Sequence, residues 1–342
     1  MIKAGIIGAT GYTGSELVRL LYQHPEVEIA AITSESRKGE SFAAVHHQFR
    51  GLVDHTLQSA NELPDGLDVV FLALPHGISM EYVQRYQQKG FKIIDLSGDF
   101  RLSTPEVYQS WYSKPHTFQQ GFATAVYGLP ELHRDAIRKA SLVANPGCYP
   151  TSAILGLVPL VKQQLIHPNQ VIVDSKSGVT GAGVKANATT HYSNASDNFK
   201  AYALKSHRHT VEIEEQLSGQ SKGTVQVQFT PHLLPVDRGI LSTIYTTPRQ
   251  AISEDQLRKT YADFYQDQPF VRICEQPPTI KDVRGSNYCD LFATYDQRTN
   301  RIITVAVIDN LVKGAAGQAI HNMNLMFGFP ETTGLQLIPL KP

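Results

Sequence analysis

The sequence predicts an α/β protein: a doubly wound parallel sheet, then a second, α+β domain built on a mostly antiparallel or mixed sheet. Three observations predict it. Short apolar runs alternate with helical patterns through roughly the first 100 residues. A glycine-rich turn, Gly8-Ala9-Thr10-Gly11-Tyr12-Thr13-Gly14, separates the first strand from the first helix. Near residue 145 the texture changes, and longer polar segments and period-two runs take over. Strands separated by helices require crossovers, which are right-handed and give parallel pairing.

Residues 3–7 read as a short buried strand, and residues 15–23 as a helix with Leu17, Leu20 and Leu21 at helical spacing, stopped by His24-Pro25. Val27–Thr33 is a second strand, and residues 68–74 (DVVFLAL) a third whose continuous apolar run implies burial on both faces. Residues 77–88 are helical and 91–96 strand again. Beyond Cys148 come a helix over 153–164 and strands over 170–174, 224–230, 240–246 and 301–308. The alternation in TVQVQFT predicts an antiparallel strand with one covered face. A final helix covers 314–327. The expected division is 1–147 for nucleotide binding, completed by a C-terminal helix at 311–342, and 148–310 for catalysis, substrate binding and oligomerisation.

Composition bounds the function. At 342 residues the chain is long enough for two domains of roughly 150 residues each. It can bury about 75% of its unfolded surface without disulfides or a structural metal. Thirty-one basic against 31 acidic residues exclude a dedicated nucleic-acid binder. Three scattered cysteines without CxxC spacing exclude a disulfide framework and a four-cysteine zinc site, and suit a reducing compartment. The N-terminus opens as strand and turn instead of a signal peptide, and no stretch approaches the roughly 20 apolar residues of a membrane span. The expected location is the cytoplasm, away from membranes.

Glycines at 8, 11 and 14 between strand and helix allow a tight turn and close approach of a pyrophosphate to the helix N–H groups. The spacing departs from GxGxxG, and a plain tight turn is the competing reading. At the end of the second strand, Ser34, Ser36, Arg37 and Lys38 favour the 2′-phosphate of NADP, against Glu35, which an NAD site would use. In Asn145-Pro146-Gly147-Cys148-Tyr149-Pro150, Gly147 permits an unusual backbone conformation and Pro150 suits a first helical turn. Cys148 is thereby placed at a helix N-terminus, where the dipole favours the thiolate. Cys274 and Cys289 have no such setting and read as structural. His207 and His209 lie at the entry to a helix over 211–218 that Thr210 is expected to cap. Either imidazole is a candidate base for the thiol, surface histidines being the bland alternative; no further ligands are spaced to make the pair a metal site. Arg101, after the strand ending at residue 96, sits at the sheet's carboxyl edge and is a candidate anion grip. The loop KSGVTGAG, residues 176–183, is a candidate for phosphate or amide contacts.

Together GATGYTGSEL, LALPHG, DLSGDFRL, NPGCYPT, KSGVTGAG, HRHTVEI and NLVKGAAGQAIHNMN resemble the N-acetyl-γ-glutamyl-phosphate reductases, over essentially the whole chain and in order. The wider group includes aspartate-semialdehyde dehydrogenase. The resemblance implies a Rossmann-type domain and a catalytic domain, with Cys148 as nucleophile, His209 as acid/base and Glu212 as orienter of the histidine. It implies that Gly8, Gly11, Tyr12, Thr13 and Gly14 hold the pyrophosphate of NADP(H), and Ser34 and Arg37 its 2′-phosphate. Asn310, Lys313 and Gly314 would meet the cofactor near the nicotinamide. Arg101, Asn145 and Arg208 would bind substrate. The implied reaction is reduction of an acyl phosphate, through a Cys148 thioester, to a semialdehyde and inorganic phosphate. No metal takes part, and the implied assembly is a homodimer or homotetramer. A reductase of an aminoadipyl or carrier-linked acyl phosphate would use the same residues. A Cys-His hydrolase or acyltransferase would leave the nucleotide loop idle, and a non-catalytic NADP-binding regulator would leave the cysteine unexplained.

Overall fold

The computed structural model describes all residues, Met1–Pro342. It divides into two units, Met1–Pro146 with Ala315–Gln336, and Gly147–Gly314 with Leu337–Pro342.

In the first unit the elements are β1 (Ile2–Ile7), α1 (Tyr12–Tyr22), β2 (Val27–Thr33), α2 (Phe42–Val45), β3 (Val69–Leu72), α3 (Ser79–Gln88), β4 (Lys92–Asp95), α4 (Pro105–Tyr112), β5 (Ala125–Tyr127), α5 (Pro130–Lys139) and β6 (Leu142–Ala144). All six strands are parallel, in the order β2-β1-β3-β4-β6-β5. Every residue of β3 is buried, as its unbroken VVFL run requires of a strand covered on both faces. The order reverses between β1 and β3, and the crevice outside the carboxyl ends of those strands is where such sheets take ligands.

The second unit holds α6 (Cys148–Lys162), β7 (Ile166–Gly178), α7 (Tyr192–Ala195), β8 (Lys200–Ala201), α8 (His209–Ser218), β9 (Val227–Leu234), β10 (Ile240–Pro248), α9 (Glu254–Tyr265), β11 (Val271–Ile273), β12 (Cys289–Asp296) and β13 (Arg301–Ile308). Its mixed sheet runs β11-β12-β13-β10-β7-β9-β8. The TVQVQFT segment alternates as expected but pairs in parallel with β7, not antiparallel; the only antiparallel partner of β9 is the two-residue β8, which meets it further on at His232 and Leu233. The reason is the connection: α8 carries the chain back across the sheet between β7 and β9, and such a crossover yields parallel neighbours. Along β10 every second residue is buried, on the face against α6. Helix α6 is buried from Tyr149 to Val161. Pro159 within it has no N–H for the Leu155 carbonyl, and the Tyr265 hydroxyl donates to that carbonyl instead.

After β13 the expected helix over 314–327 appears as a π-turn, Val312–Ala316, running into α10 (Gly317–Phe327). All of α10 except Phe327 is buried in the first unit, although it carries Gln318, His321, Asn322 and Asn324. Each is hydrogen-bonded there: Gln318 and Asn322 donate to Gly128 O, Asn324 donates to the carbonyls of Glu331 and Thr333, and His321 pairs with Glu331. Buried polar side chains are tolerated where at least one such partner is supplied. The return to the first unit falls at Ala315 instead of the expected 311, and the last six residues stay with the second unit, tied by Leu340 N–H to Arg284 O and by Lys341 to Asp282.

Candidate active site

At the carboxyl end of β1 the chain turns through Gly8, whose φ of +85° belongs to the left-handed region that favours glycine. A side chain there would put its first carbon 2.5 Å from Ala73 O. At Gly14 the same carbon would lie 2.3 Å from Gly8 O and 2.7 Å from Ala9 Cα, so α1 crosses the turn at backbone contact. Gly11 is different: only Gly8 O comes near, at 3.6 Å, and no side chain caps the helix that starts beyond it. The turn is therefore an open cradle at a helix N-terminus, which suits an anion. Gly14→Ala is expected to destabilise the chain by about 1–3 kcal/mol through overpacking and to weaken nucleotide binding. Thermal unfolding with and without NADPH checks both effects.

Just beyond the end of β2 lies Glu35. Its carboxylate turns away, accepting Ala60 N–H at 2.7 Å and the Ser59 hydroxyl at 3.1 Å. Ser34 stays on the loop side, its hydroxyl 2.9 Å from Thr10 Oγ1. Arg37 projects with half its side chain exposed, 3.3 Å from Glu40, and Lys38 pairs with Glu62. Tyr12 is exposed beside the turn, and His46 Nε2 lies 3.2 Å from Thr10 O.

Arg101 is buried. Its Nε donates to Asn145 O and its Nη2 to Leu96 O, both at 2.7 Å. Asn145 donates from Nδ2 to Ala315 O and accepts from Asn322 at Oδ1, each at 3.1 Å. Both thereby brace the first unit's backbone. Asp99, which sequence reasoning passed over, accepts Gly77 N–H, Ser79 N–H and the Tyr108 hydroxyl, fixing the turn before α3. Neighbouring Asp95 is pushed up to about 6 by burial and by the Asp99 charge.

In the second unit the helix begins at Cys148 itself, its thiol partly exposed, with Gly147 as N-cap and no side chain capping it. Gly147 has φ −66° and ψ 153°, extended backbone that any residue adopts, so the expected unusual conformation is absent. Its N–H donates to Glu212 Oε1 at 2.8 Å. Glu212 thus ties α8 to the residue before the thiol. Gly314, expected at the cofactor, packs on the cysteine: a first side-chain carbon there would lie 2.9 Å from Cys148 Cβ. Asn310 and Lys313 are both buried in this unit. Asn310 accepts Gly239 N–H and donates to Thr180 Oγ1, while Lys313 is fully buried with Nζ 5.7 Å from the Phe270 ring centre. Thr180 in turn donates to Asp237 O, fastening the KSGVTGAG loop.

Tyr149 brings both candidate imidazoles to this end of α6, its ring centre 5.6 Å from His207 and 5.9 Å from His209. His207 is caged edge-on by Tyr149, Tyr202 and Phe229. Burial, with Arg208 beside it, holds His207 down at about 4, so this ring is neutral near pH 7. Its Nδ1 accepts the His209 N–H at 3.2 Å, and its carbonyl accepts Thr210 N–H, which starts α8 at His209. Thr210 is therefore not the cap; Arg208 occupies that position, and the His207 ring does a cap's work. Tyr202 and Phe229 were not singled out from sequence, since only the fold brings them to the histidines; the aromatic residue following Cys148 was the available signal.

A doubly wound nucleotide-binding unit, and a cysteine at a helix N-terminus followed by a tyrosine with two imidazoles around it, define an acyl-transferring oxidoreductase of the semialdehyde dehydrogenase class. Residues 3–140 match the family model for the semialdehyde dehydrogenase NAD binding domain, and residues 148–310 that for the semialdehyde dehydrogenase dimerisation domain. The same fold is seen in aspartate semialdehyde dehydrogenase II of Vibrio cholerae (TM-score 0.74, 17% identity, 96% of this chain and 98% of that one). The NADP-bound aspartate semialdehyde dehydrogenase of Candida albicans shares it too (TM-score 0.72, 17% identity, 96% and 98%). The chain is 50% identical to the N-acetyl-γ-glutamyl-phosphate reductase of Moorella thermoacetica and 49% identical to that of Desulforudis audaxviator, with 100% of each chain covered. It belongs to the N-acetyl-γ-glutamyl-phosphate reductase family.

Proposed function

We propose that this chain reduces N-acetyl-γ-glutamyl phosphate to N-acetylglutamate semialdehyde and phosphate, using NADPH. The observation that carries the chemistry is Cys148 at the uncapped start of α6, with two imidazoles drawn to the same end by Tyr149. Full-length identity near 50% to reductases of that name supports the substrate.

The residues fit NADP(H). The Gly8–Gly14 cradle takes the pyrophosphate, and Ser34 and Arg37 take the 2′-phosphate at a strand end whose one carboxylate, Glu35, is engaged elsewhere. Cys148 loses its proton to His209, and the thiolate attacks the acyl carbonyl. The carbon–oxygen bond to phosphate breaks, and a thioester forms on Cys148. The N–H groups of the first turn of α6 stabilise the oxyanion. When bound, NADPH supplies the hydride that reduces the thioester carbonyl. Cys148 is then released as the semialdehyde forms, and His209 returns the proton to the departing sulfur. Splitting the reaction at a covalent stage replaces one difficult step by two easier ones. His207, neutral and caged, positions His209. The protein works as a homodimer or homotetramer: half-exposed residues alternate along the face of β10 opposite α6, in the region matching a dimerisation domain. Three cysteines, none of them in a disulfide, support a cytoplasmic setting.

An assay in the reverse direction tests this reading. With phosphate and NADP, N-acetylglutamate semialdehyde is expected to outpace the aminoadipate and aspartate semialdehydes by at least about tenfold in kcat/KM. NADP is expected to exceed NAD by about 10–100-fold, the worth of one charged contact. Preference for another semialdehyde, or equal use of the two cofactors, would overturn the corresponding part.

A further inference from the structure

Asp309 is fully buried, and a carboxylate out of water is costly unless its lone pairs are filled. They are filled by backbone. Oδ1 accepts the N–H groups of Leu311 at 2.8 Å and Val312 at 3.1 Å, and Oδ2 accepts that of Gly285 at 2.7 Å. Arg238 Nη1 stands 3.5 Å from Oδ2. The carbonyl of Asp309 accepts the Gly314 N–H at 2.9 Å, a five-residue span that widens 312–316 into a π-turn. One residue thus fastens three segments: the turn before β10, the stretch before β12 and the chain leaving β13. The product of that fastening is Gly314, whose added side-chain carbon would lie 2.9 Å from Cys148 Cβ, 3.3 Å from Cys148 Cα and 3.3 Å from Ile308 Cδ1. The backbone at 314 is the wall against which Cys148 rests.

We infer that Asp309 is a positioning residue for the reaction: by fixing the π-turn it presses Gly314 against Cys148 and sets where the sulfur stands at the start of α6. The inference rests on the reading of Cys148 as nucleophile. Its physical basis is the steep dependence of rate on placement, since about 1 Å of drift costs on the order of 10²-fold. In Asp309→Asn the amide turns an N–H₂ toward one of the backbone donors, so at least one segment is released.

The test uses the full-length enzyme. Asp309→Asn is expected to lower kcat about 10²-fold with KM for the semialdehyde little changed, and to displace the pH profile of iodoacetamide alkylation at Cys148. Rates are expressed per Cys148 thiol of the folded fraction recovered by size-exclusion chromatography, because unfolded chains would expose all three cysteines to iodoacetamide. A merely structural Asp309 would lower the unfolding temperature and leave kcat per thiol and the alkylation profile as in the wild type, and that result would overturn the inference. Should Asp309→Asn not fold, Arg238→Gln loosens the same carboxylate from a half-exposed side. It is expected to lower kcat per thiol several-fold, and a wild-type value overturns the inference equally. Cys148→Ser is run alongside: turnover in that variant would sink the nucleophile reading alone, because the alkylation profile of the Asp309 variant needs no turnover.

Discussion

Cys148→Ala is expected to abolish NADP-dependent oxidation of N-acetylglutamate semialdehyde, with a loss of at least about 10⁴-fold in kcat, as for other covalent nucleophiles. The residue is the first of α6, where the helix dipole favours a negative sulfur. Neither other thiol can take over. Cys289 is fully buried in β12, and burial followed by the Asp290 charge pushes Cys274 up to about 11, leaving it a thiol at neutral pH. Iodoacetamide should therefore label Cys148 selectively and inactivate the enzyme with one equivalent bound. The alanine side chain fits within the space of the cysteine, so the fold and NADPH affinity are expected to persist. Turnover within tenfold of the wild type, in a preparation free of wild-type enzyme, would contradict the thioester route.

His209→Asn is expected to lower the rate by about 10²–10⁴-fold, the range of positioned acid–base catalysis, with NADPH binding intact. Both histidines reach the Cys148 end of α6 through Tyr149, and their environments separate them. His207, held near 4, would have to be protonated far below its ordinary range to donate, and its Nδ1 is engaged by the His209 N–H. Its replacement by asparagine should cost less, through loosening of the His209 backbone. A larger loss in His207→Asn than in His209→Asn would reverse the two roles.

The first unit was largely legible from sequence because its cues are local. The apolar runs at β1 to β4 and the glycines at 8 and 14 each report a requirement of their own surroundings: burial on two faces, and backbone contact at 2.5 Å and 2.3 Å. The helix start at Cys148 was legible for the same reason, since a turn followed by a helix start is a short-range pattern. The direction of β9 was not, because alternation reports which face is covered and says nothing of the neighbour's direction. The burial of α10 was hidden by its own polar residues, whose partners lie at Gly128 and at residues 331–333.

The roles of the polar residues show the division most clearly. Sequence by itself determined that this chain carries a parallel nucleotide-binding sheet, an anion-cradling turn and a cysteine at a helix N-terminus. These follow from periodicity, from backbone conformations and from the helix dipole, all of which act within a few residues. Only the tertiary structure decided that Glu35 turns from the strand end to Ala60, and that Asn310 and Lys313 face inward. It likewise set Gly314 against Cys148, and drew the N–H groups of residues 285, 311 and 312 onto one buried carboxylate at Asp309. A polar side chain can serve a ligand or its own protein with the same atoms, and which it does is settled by the partners that distant segments bring within hydrogen-bonding reach.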